Sequence, residues 1–162
     1  MSVSKIGFGG GCHWCTEAVF QSLRGVTRVD QGFIQSEPPA DSWSEAVIVY
    51  FDPATIEIET LISVHIRTHA ATKAHSRRSK YRSAIYTFDD HQTGFARQSL
   101  DLFQDEFAGT LVTAVLPFAA FKPSDERFHD YYKSNAERPF CKRYIDPKLD
   151  LIRRTFSAQA LV

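Results

Sequence analysis

Apolar residues recur along the first half of the chain with two periods, that of a strand and that of a helix. "SKIGFGG" (4–10) predicts a short strand, and the helical spacing in "WCTEAVFQSLRGV" (14–26) predicts a helix that ends at Gly25. The β-branched run "EAVIVYFDP" (45–53) predicts a strand that closes at a turn. "TIEIETLISVHIRTH" (55–69) then predicts a second helix.

The second half continues the same alternation. "YRSAIYTF" (81–88) predicts a strand, "DDHQTGFARQSLDLFQDEF" (89–107) a helix with an acidic start, and "TLVTAVLPFAAF" (110–121) another strand. The tail contains two short helical patterns, "SDERFHDYYKSN" (124–135) and "KLDLIRRTF" (148–156).

These elements predict an α/β (α+β) fold. The polar, proline-containing stretch "SEPPADSW" (36–43) interrupts the pattern and predicts a loop. We interpret the order as β-α-β-β-α-β-β-α, which favours a two-layer sandwich on a mixed sheet. No repeat or long linker divides the chain, so residues 1–162 are expected to form a single domain.

Composition narrows the class of protein. Of the 162 residues, 43% are hydrophobic, and equal numbers of basic and acidic side chains give a net charge of zero. Nothing in that balance indicates a partner such as nucleic acid or an anionic membrane. No window approaches the roughly 18 apolar residues of a spanning helix, and the start lacks an apolar signal-peptide stretch. We therefore expect a cytoplasmic protein.

Three cysteines carry the candidate chemistry. Cys12, Cys15 and Cys141 are an odd number in a chain without an export signal, which disfavours a disulfide-stapled scaffold. Cys12 lies in "GGGCHWC", where a glycine run meets a helix start, and a helix N-terminus lowers the pKa of a thiol. The turn is consistent with a nucleophile or with a C-x-x-C dithiol. A zinc site would need a second pair of ligands, and Thr16 excludes the C-x-x-C-H pattern of haem attachment.

Four separated blocks resemble a known family. "GGGCHWCTEAVFQSLRGV", "EAVIVYFDP", "YRSAIYTFDD" and "FCKRYIDPKLDLIRRTF" are similar, in this order, to the A-type peptide methionine sulfoxide reductases, whose hallmark is G-C-F-W-[GC]. The similarity extends with gaps over nearly the whole chain. It implies a ferredoxin-like core with the nucleophile at the first helix start, and an enzyme that repairs proteins after oxidative stress.

The resemblance also implies roles for individual residues. Cys12 attacks the sulfoxide sulfur and becomes a sulfenic acid, while Glu45 donates a proton to the sulfoxide oxygen. Such an acid works best in a dry pocket, and Glu45 lies between Trp43 and an apolar strand. Cys141 corresponds to the resolving cysteine that forms a disulfide with Cys12, with Cys15 as the alternative. Trp14 corresponds to the aromatic residue that cradles the S-methyl group.

The family resemblance implies thiols as the only source of electrons. No metal or organic cofactor is then required, and a thioredoxin-like protein is the expected reductant. The substrate would be methionine-S-sulfoxide, peptidyl or free. We expect a monomer that binds neither nucleic acid nor membrane.

Several substitutions set this chain apart from the family pattern and concern the substrate pocket. His13 replaces a phenylalanine, and Phe33 replaces a tyrosine whose hydroxyl would bind the sulfoxide oxygen, while Tyr81 is retained. The segment before Tyr81 lacks the family's acidic residue and carries Arg77 and Arg78, within a basic cluster that also holds His75 and Lys80. Guanidinium groups match carboxylates in geometry, so the substrate is predicted to include carboxylate-bearing small-molecule S-oxides.

Two other functions are compatible with these residues. A dithiol-disulfide oxidoreductase would use Cys12 and Cys15 as a C-x-x-C pair at a helix start. The protein could instead be a catalytically weak relative that binds a ligand, an alternative based on Phe33 and on the altered loop 69–80. Phe128 and His129, which stand where the family has a histidine-glutamine pair, indicate a further change around the site.

Overall fold

The structure, a computed structural model, describes residues 3–73 and 79–161. In it a six-stranded sheet with the order β5-β4-β1-β3-β2-β6 is covered by helices. The strands are β1 (Ser4–Gly9), β2 (Val26–Gln35), β3 (Ser44–Phe51), β4 (Ala84–Thr87), β5 (Ala114–Pro117) and β6 (Ala120–Pro123). The helices are α1 (His13–Gln21), α2 (Ile58–Arg67), α3 (Asp90–Phe103), α4 (Tyr131–Ser134) and α5 (Asp146–Thr155). β4 and β5 run parallel and the other pairs antiparallel, so the sheet is mixed as predicted.

The alternation of side chains along the strands divides the core into two parts. On one face, residues such as Phe8 and Val49 pack against apolar positions of the helices, including Phe20 of α1 and Leu61 of α2. The opposite face carries a smaller apolar cluster around Ile34 and Tyr86. Successive strand side chains point to opposite faces, and the helices of residues 3–73 and 79–161 pack against the face that carries Phe8 and Val49. The two-layer α/β sandwich is thereby confirmed.

Three details of the predicted elements are wrong. Residues 110–121 do not form one strand: β5 pairs with β4, and the chain then crosses to the other edge, where β6 pairs with β2. The uninterrupted apolar run hides this crossing, because periodicity does not report a change of sheet edge. The predicted order also lacks α3 and the second tail helix, although both segments individually show helical patterns. α1 ends at Gln21, earlier than Gly25.

Antiparallel pairing gathers three chain segments at one end of the sheet. The last residue of β1, Gly9, lies opposite Ala46 in β3 and Ala84 in β4, so the end of β1 meets the beginnings of its two neighbours. Across the next two pairings, Glu45 lies opposite Phe33 and Phe33 opposite Lys122. Within 3–73 and 79–161, no helix is long and apolar enough to cross a membrane.

Candidate active site

Cys12 lies between β1 and α1, at the N-cap of the helix. Its backbone is extended (φ −66°, ψ 126°), and its carbonyl accepts the N–H groups of Cys15 and Thr16. Gly10 and Gly11 have φ of +148° and +136°, which side-chain-bearing residues rarely adopt. A Cβ on Gly10 would lie 2.5 Å from the His69 ring, so this turn requires glycine for space as well as for conformation.

Two histidines hold the glycine turn from behind. A ring nitrogen of His65, Nε2, lies 2.7 Å from the carbonyl oxygen of Gly9, and the His65 ring is buried. His69 joins the His65 carbonyl through Nδ1 and the Ser83 hydroxyl through Nε2. Burial lowers the pKa of His65 well below its usual value, so this ring is neutral and donates from Nε2 to Gly9.

The Cys12 thiol lies in surroundings that favour the thiolate. The side chain of Cys15 donates a hydrogen bond to the Cys12 sulfur and lowers its pKa, and the N–H of Trp14 acts in the same direction. Burial and the nearby Glu45 carboxylate oppose this shift, but the net effect is a lowered pKa. Cys12 is half-buried, whereas Cys15 and Cys141 are buried. Partial exposure together with a lowered pKa is typical of a reactive cysteine.

The other two cysteines are buried behind Cys12 in one cluster. Cys15 and Cys141 pack with residues of α1 and α5, and the exposed fraction of Cys141 is 0%. The hydrogen bond that Cys15 donates to Cys12 raises the pKa of Cys15, and burial raises that of Cys141. Lys148, whose ammonium donates to the Thr68 carbonyl, lines the small cavity behind Cys12 and Cys15. Burial lowers the Lys148 pKa, while both thiols act to raise it.

Glu45, the second residue of β3, lies beside the start of α1. Its carboxylate Oε1 accepts the backbone N–H of His13 at 3.2 Å, and Oε2 lies 3.8 Å from the ammonium of Lys80. The Glu45 backbone N–H donates to the Lys80 carbonyl at 2.8 Å, which ties the segment before β4 to this strand. Glu45 is 8% exposed. A buried carboxylate therefore lies directly beside the residue that follows the candidate nucleophile.

The His13 ring fills the space between Glu45 and β2. Nδ1 lies 2.7 Å from the carbonyl oxygen of Gly32, and Nε2 lies 3.6 Å from Glu45 Oε1. The ring also meets Phe33 edge-on, with centroids 5.2 Å apart. Burial lowers the pKa of His13, whereas Glu45 raises it.

Trp14 belongs to an aromatic cluster on the other side of Cys12. Its ring stacks on Tyr131 at 4.3 Å and on Phe128 at 5.1 Å between centroids, and Phe140 meets it edge-on. The tail thus supplies most of the aromatic surface around Trp14. A flat apolar surface of this kind suits an uncharged methyl group.

The remaining predicted binding residues lie at the rim or outside the described part of the chain. The Lys122 ammonium lies over both Phe33 and Trp43, at 5.3 and 4.8 Å from the ring centroids. Tyr81 is half-buried next to Lys80, whose ammonium lies 5.2 Å from its ring centroid. Arg77 and Arg78, with His75, fall outside the described residues.

Several residues around the site were not predicted from sequence. Glu17 is buried and accepts hydrogen bonds from Gln31 and from the backbone N–H groups of Asp130 and Tyr131, which fixes the aromatic tail against α1. Lys148 follows a proline at the start of α5 and looks like an ordinary surface lysine in sequence. Neither residue carries a motif, because its role depends on contacts more than 100 residues away in the chain.

The described geometry defines a class of protein: an α/β oxidoreductase that works through a cysteine thiol. An activated, half-exposed cysteine lies at a helix N-terminus, a buried carboxylate lies beside it, and two further thiols lie behind it. Within 3–73 and 79–161, no group of histidine, cysteine and acidic side chains has the arrangement of a metal site.

Comparison with known proteins identifies the family. The family model of peptide methionine sulfoxide reductase matches residues 4–160, so the chain belongs to this family. The peptide methionine sulfoxide reductase MsrA of Chromobacterium violaceum is 33% identical, over 96% of this chain and 97% of the relative. Thiol-dependent reduction of methionine sulfoxide, predicted from the sequence, is confirmed as the activity of the family.

Solved structures support the same fold. Mxr1 from Saccharomyces cerevisiae in reduced form is similar with a TM-score of 0.75 and 19% identity, covering 86% of this chain and 89% of that one. Mxr1 in complex with Trx2 is similar with a TM-score of 0.64 and 18% identity, covering 78% and 84%. At such identities the likeness concerns the fold.

Proposed function

We propose that Cys12 is the nucleophile and Glu45 the proton donor in the reduction of methionine-S-sulfoxide. One observation carries this assignment: the buried Glu45 carboxylate accepts the backbone N–H of the residue directly after Cys12. A sulfoxide that reaches the Cys12 sulfur therefore meets a carboxyl group held at the start of the same helix, next to the His13 ring and the Lys80 ammonium. The hydrogen bond from Cys15 lowers the pKa of Cys12, which favours the thiolate that attacks the sulfur.

The Cys12 thiolate and the protonated Glu45 together supply all that the reduction of the sulfoxide requires. The Cys12 thiolate attacks the sulfoxide sulfur while the protonated Glu45 gives its proton to the oxygen, which forms a sulfur–sulfur bond and a hydroxyl group. Transfer of this hydroxyl to the Cys12 sulfur breaks the new bond. The products are the thioether, the Cys12 sulfenic acid and the Glu45 carboxylate. Trp14 and its stacked neighbours form the apolar wall for the substrate methyl group.

The sulfenic acid is resolved by a second thiol, and the geometry favours Cys15 as the first one. Cys15 lines the same small cavity as Cys12 and its side chain lowers the Cys12 pKa, whereas Cys141 is fully buried and its sulfur lies 3.7 Å from the Asn135 carbonyl oxygen. Condensation of the two groups forms the Cys12–Cys15 disulfide and releases water. Cys141, which lies in the same cluster, then attacks the Cys15 sulfur and frees Cys12.

Trapping experiments distinguish the two resolving routes. After one turnover without reductant, we expect the Cys141→Ser protein to contain a Cys12–Cys15 disulfide, formed at the wild-type rate. We expect Cys15→Ser to accumulate the Cys12 sulfenic acid, which dimedone labels and mass spectrometry detects. Direct resolution by Cys141 would give a different result. The Cys15→Ser protein would then form a Cys12–Cys141 disulfide, at the rate at which the sulfenic acid disappears in the wild-type enzyme.

The electrons come from thiols, so the proposed reaction requires no metal or organic cofactor. A thioredoxin-like protein is the proposed reductant, and the complex of Mxr1 with Trx2 supports this choice. At the rim of the site, the ammonium groups of Lys80 and Lys122 favour substrates that carry a carboxylate. Such substrates include free methionine sulfoxide and N-acetyl-methionine sulfoxide beside oxidised methionine in proteins.

The first assay is the reduction of N-acetyl-methionine-S-sulfoxide driven by dithiothreitol. We expect turnover of the S-epimer and of free methionine-S-sulfoxide, and none of the R-epimer, because Glu45 lies on one side of Cys12 only. The methyl ester of the same substrate serves as the control without a carboxylate, and its KM is expected to be higher. Turnover of the R-epimer at an equal rate would contradict the proposed placement of acid and nucleophile.

A further inference from the structure

The contacts of Glu45 suit a carboxylate, whereas its proposed role requires a carboxylic acid. A donor of protons must hold its proton near neutral pH, yet the carboxylate accepts a backbone N–H at 3.2 Å and has the Lys80 ammonium 3.8 Å away. Both contacts stabilise a negative charge on Glu45 while burial opposes one, so these contacts alone do not secure a proton on the carboxyl group. Some other group has to keep a proton at this place.

His13 is that group by position. Its Nδ1 lies 2.7 Å from the carbonyl oxygen of Gly32, and since a carbonyl only accepts, Nδ1 carries a hydrogen. In the neutral ring, Nε2 then presents a lone pair, and it lies 3.6 Å from Glu45 Oε1. At this separation a proton carried by either atom is stabilised electrostatically by the other. The ring is 6% exposed and has Phe33 against its edge, so water has little access to the pair.

We propose that His13 and Glu45 form one proton-holding pair, in which His13 keeps the proton that Glu45 delivers to the sulfoxide oxygen. This inference rests on the proposed role of Glu45. His13 acts through Glu45 and is therefore a positioning residue. The pair shares one proton near neutral pH, either as imidazolium and carboxylate or as imidazole and carboxylic acid.

Substrate binding moves the shared proton towards Glu45. A bound methyl sulfoxide covers the turn and removes water, which disfavours two separated charges more than two neutral groups. The proton then lies on the carboxyl group, next to the substrate oxygen. After the chemical step, His13 takes up the next proton and returns it to Glu45, so each turnover begins with a loaded acid. Burial already lowers the pKa of His13, which agrees with a neutral ring in the covered site.

The other titratable groups around His13 and Glu45 determine in which direction the pH dependence should shift when His13 is replaced. Lys80, from the segment before β4, favours loss of the shared proton, and His129, which follows the turn after β6, acts on His13 in the same direction. The Cys12 thiolate favours retention of the proton. Without His13, the carboxyl group of Glu45 alone meets Lys80 and the backbone N–H. The alkaline limb of the rate profile is then expected to begin at lower pH.

The test is the pH dependence of the single-turnover rate with N-acetyl-methionine-S-sulfoxide from about pH 5 to pH 9. We expect His13→Gln, which keeps a donor for Gly32, to shift the alkaline limb of the profile by about one pH unit or more to lower pH. Lys80→Met is the matched variant and is expected to shift the same limb to higher pH. An unchanged alkaline limb in His13→Gln would overturn the pairing, since a merely structural role lowers the rate without moving the limb.

A second measurement needs no activity. The ring signals of His13, followed by NMR in the full chain, are expected to titrate at lower pH in Glu45→Gln than in the wild-type protein, because the carboxylate raises the pKa of the ring. An unchanged titration would overturn the pairing even if His13→Gln does not fold. The two proposals can fail separately. If the His13 titration differs between the wild-type and Glu45→Gln proteins but the wild-type protein reduces no methyl sulfoxide, the proposed function is contradicted and the pairing of His13 with Glu45 is still supported.

Discussion

Replacing Cys12 by serine is expected to lower the reductase rate by at least about 1,000-fold, to the level without enzyme. A serine hydroxyl at this turn is a far weaker nucleophile, and it stays protonated although the Cys15 thiol and the Trp14 N–H favour an anion at this position. The measurement is thioether formation from N-acetyl-methionine-S-sulfoxide with dithiothreitol as reductant.

Cys141→Ser provides the matched control for this loss. It changes sulfur to oxygen in the same buried cluster but leaves Cys12 and its neighbours in place. We expect this variant to produce one equivalent of thioether in the first turnover at the wild-type rate. If Cys12→Ser retained the first turnover and Cys141→Ser lost it, the nucleophile would have to be reassigned.

Replacing Glu45 by glutamine is expected to lower kcat/KM by about 100- to 10,000-fold, the usual range for loss of a general acid. The amide keeps the shape of the side chain and can still accept the N–H of His13, but it cannot deliver a proton to the sulfoxide oxygen. Alkylation of Cys12 by iodoacetamide should remain at least as fast, because the nearby carboxylate raises the Cys12 pKa and the amide does not. Rapid-quench measurement of the first turnover separates the chemical step from reduction of the disulfide.

Glu17→Gln is the control for burial of a carboxylate. Glu17 is also buried in α1, but its oxygens accept N–H groups of Asp130 and Tyr131, away from the cysteine turn. We expect its replacement to lower the free energy of unfolding, since an amide nitrogen would face a donor, with a smaller effect on the first turnover. Equal losses in the first turnover for Glu17→Gln and Glu45→Gln would mean that Glu45 acts only on the fold.

The sequence predicts most of the fold because its strands and helices have clear periods. The end of β1, the start of α1 and the β3–α2 unit lie where the apolar patterns indicate. The division of 110–121 into β5 and β6 was not predictable, because both strands are apolar and the crossing between them depends on pairing with distant β4 and β2. Secondary structure that is decided by long-range pairing leaves little local signal.

The same limit applies to the site. A motif of adjacent residues indicated Cys12, and the resemblance to a family indicated Glu45. The contact between His13 and Glu45 joins residues 32 positions apart, and the half-buried Lys148 lies beside Cys12 and Cys15 although it comes from the other end of the chain. Charge and burial at these positions are properties of the packed structure, so a single sequence identifies the residue types but not their partners.

The pairing of Gly9 with Ala46 and Ala84 has a consequence for how this family diverges. The backbone register across the sheet sets the separation between Cys12 and Glu45. This separation therefore does not depend on the length of the neighbouring loops, such as 36–43. A change of length or charge in such a loop alters which substrates can enter the active site, but it does not move Cys12 or Glu45. A lineage can therefore acquire new substrates by exchanging loops, whereas a shift of one residue in β3 would turn the acid to the opposite face of the sheet.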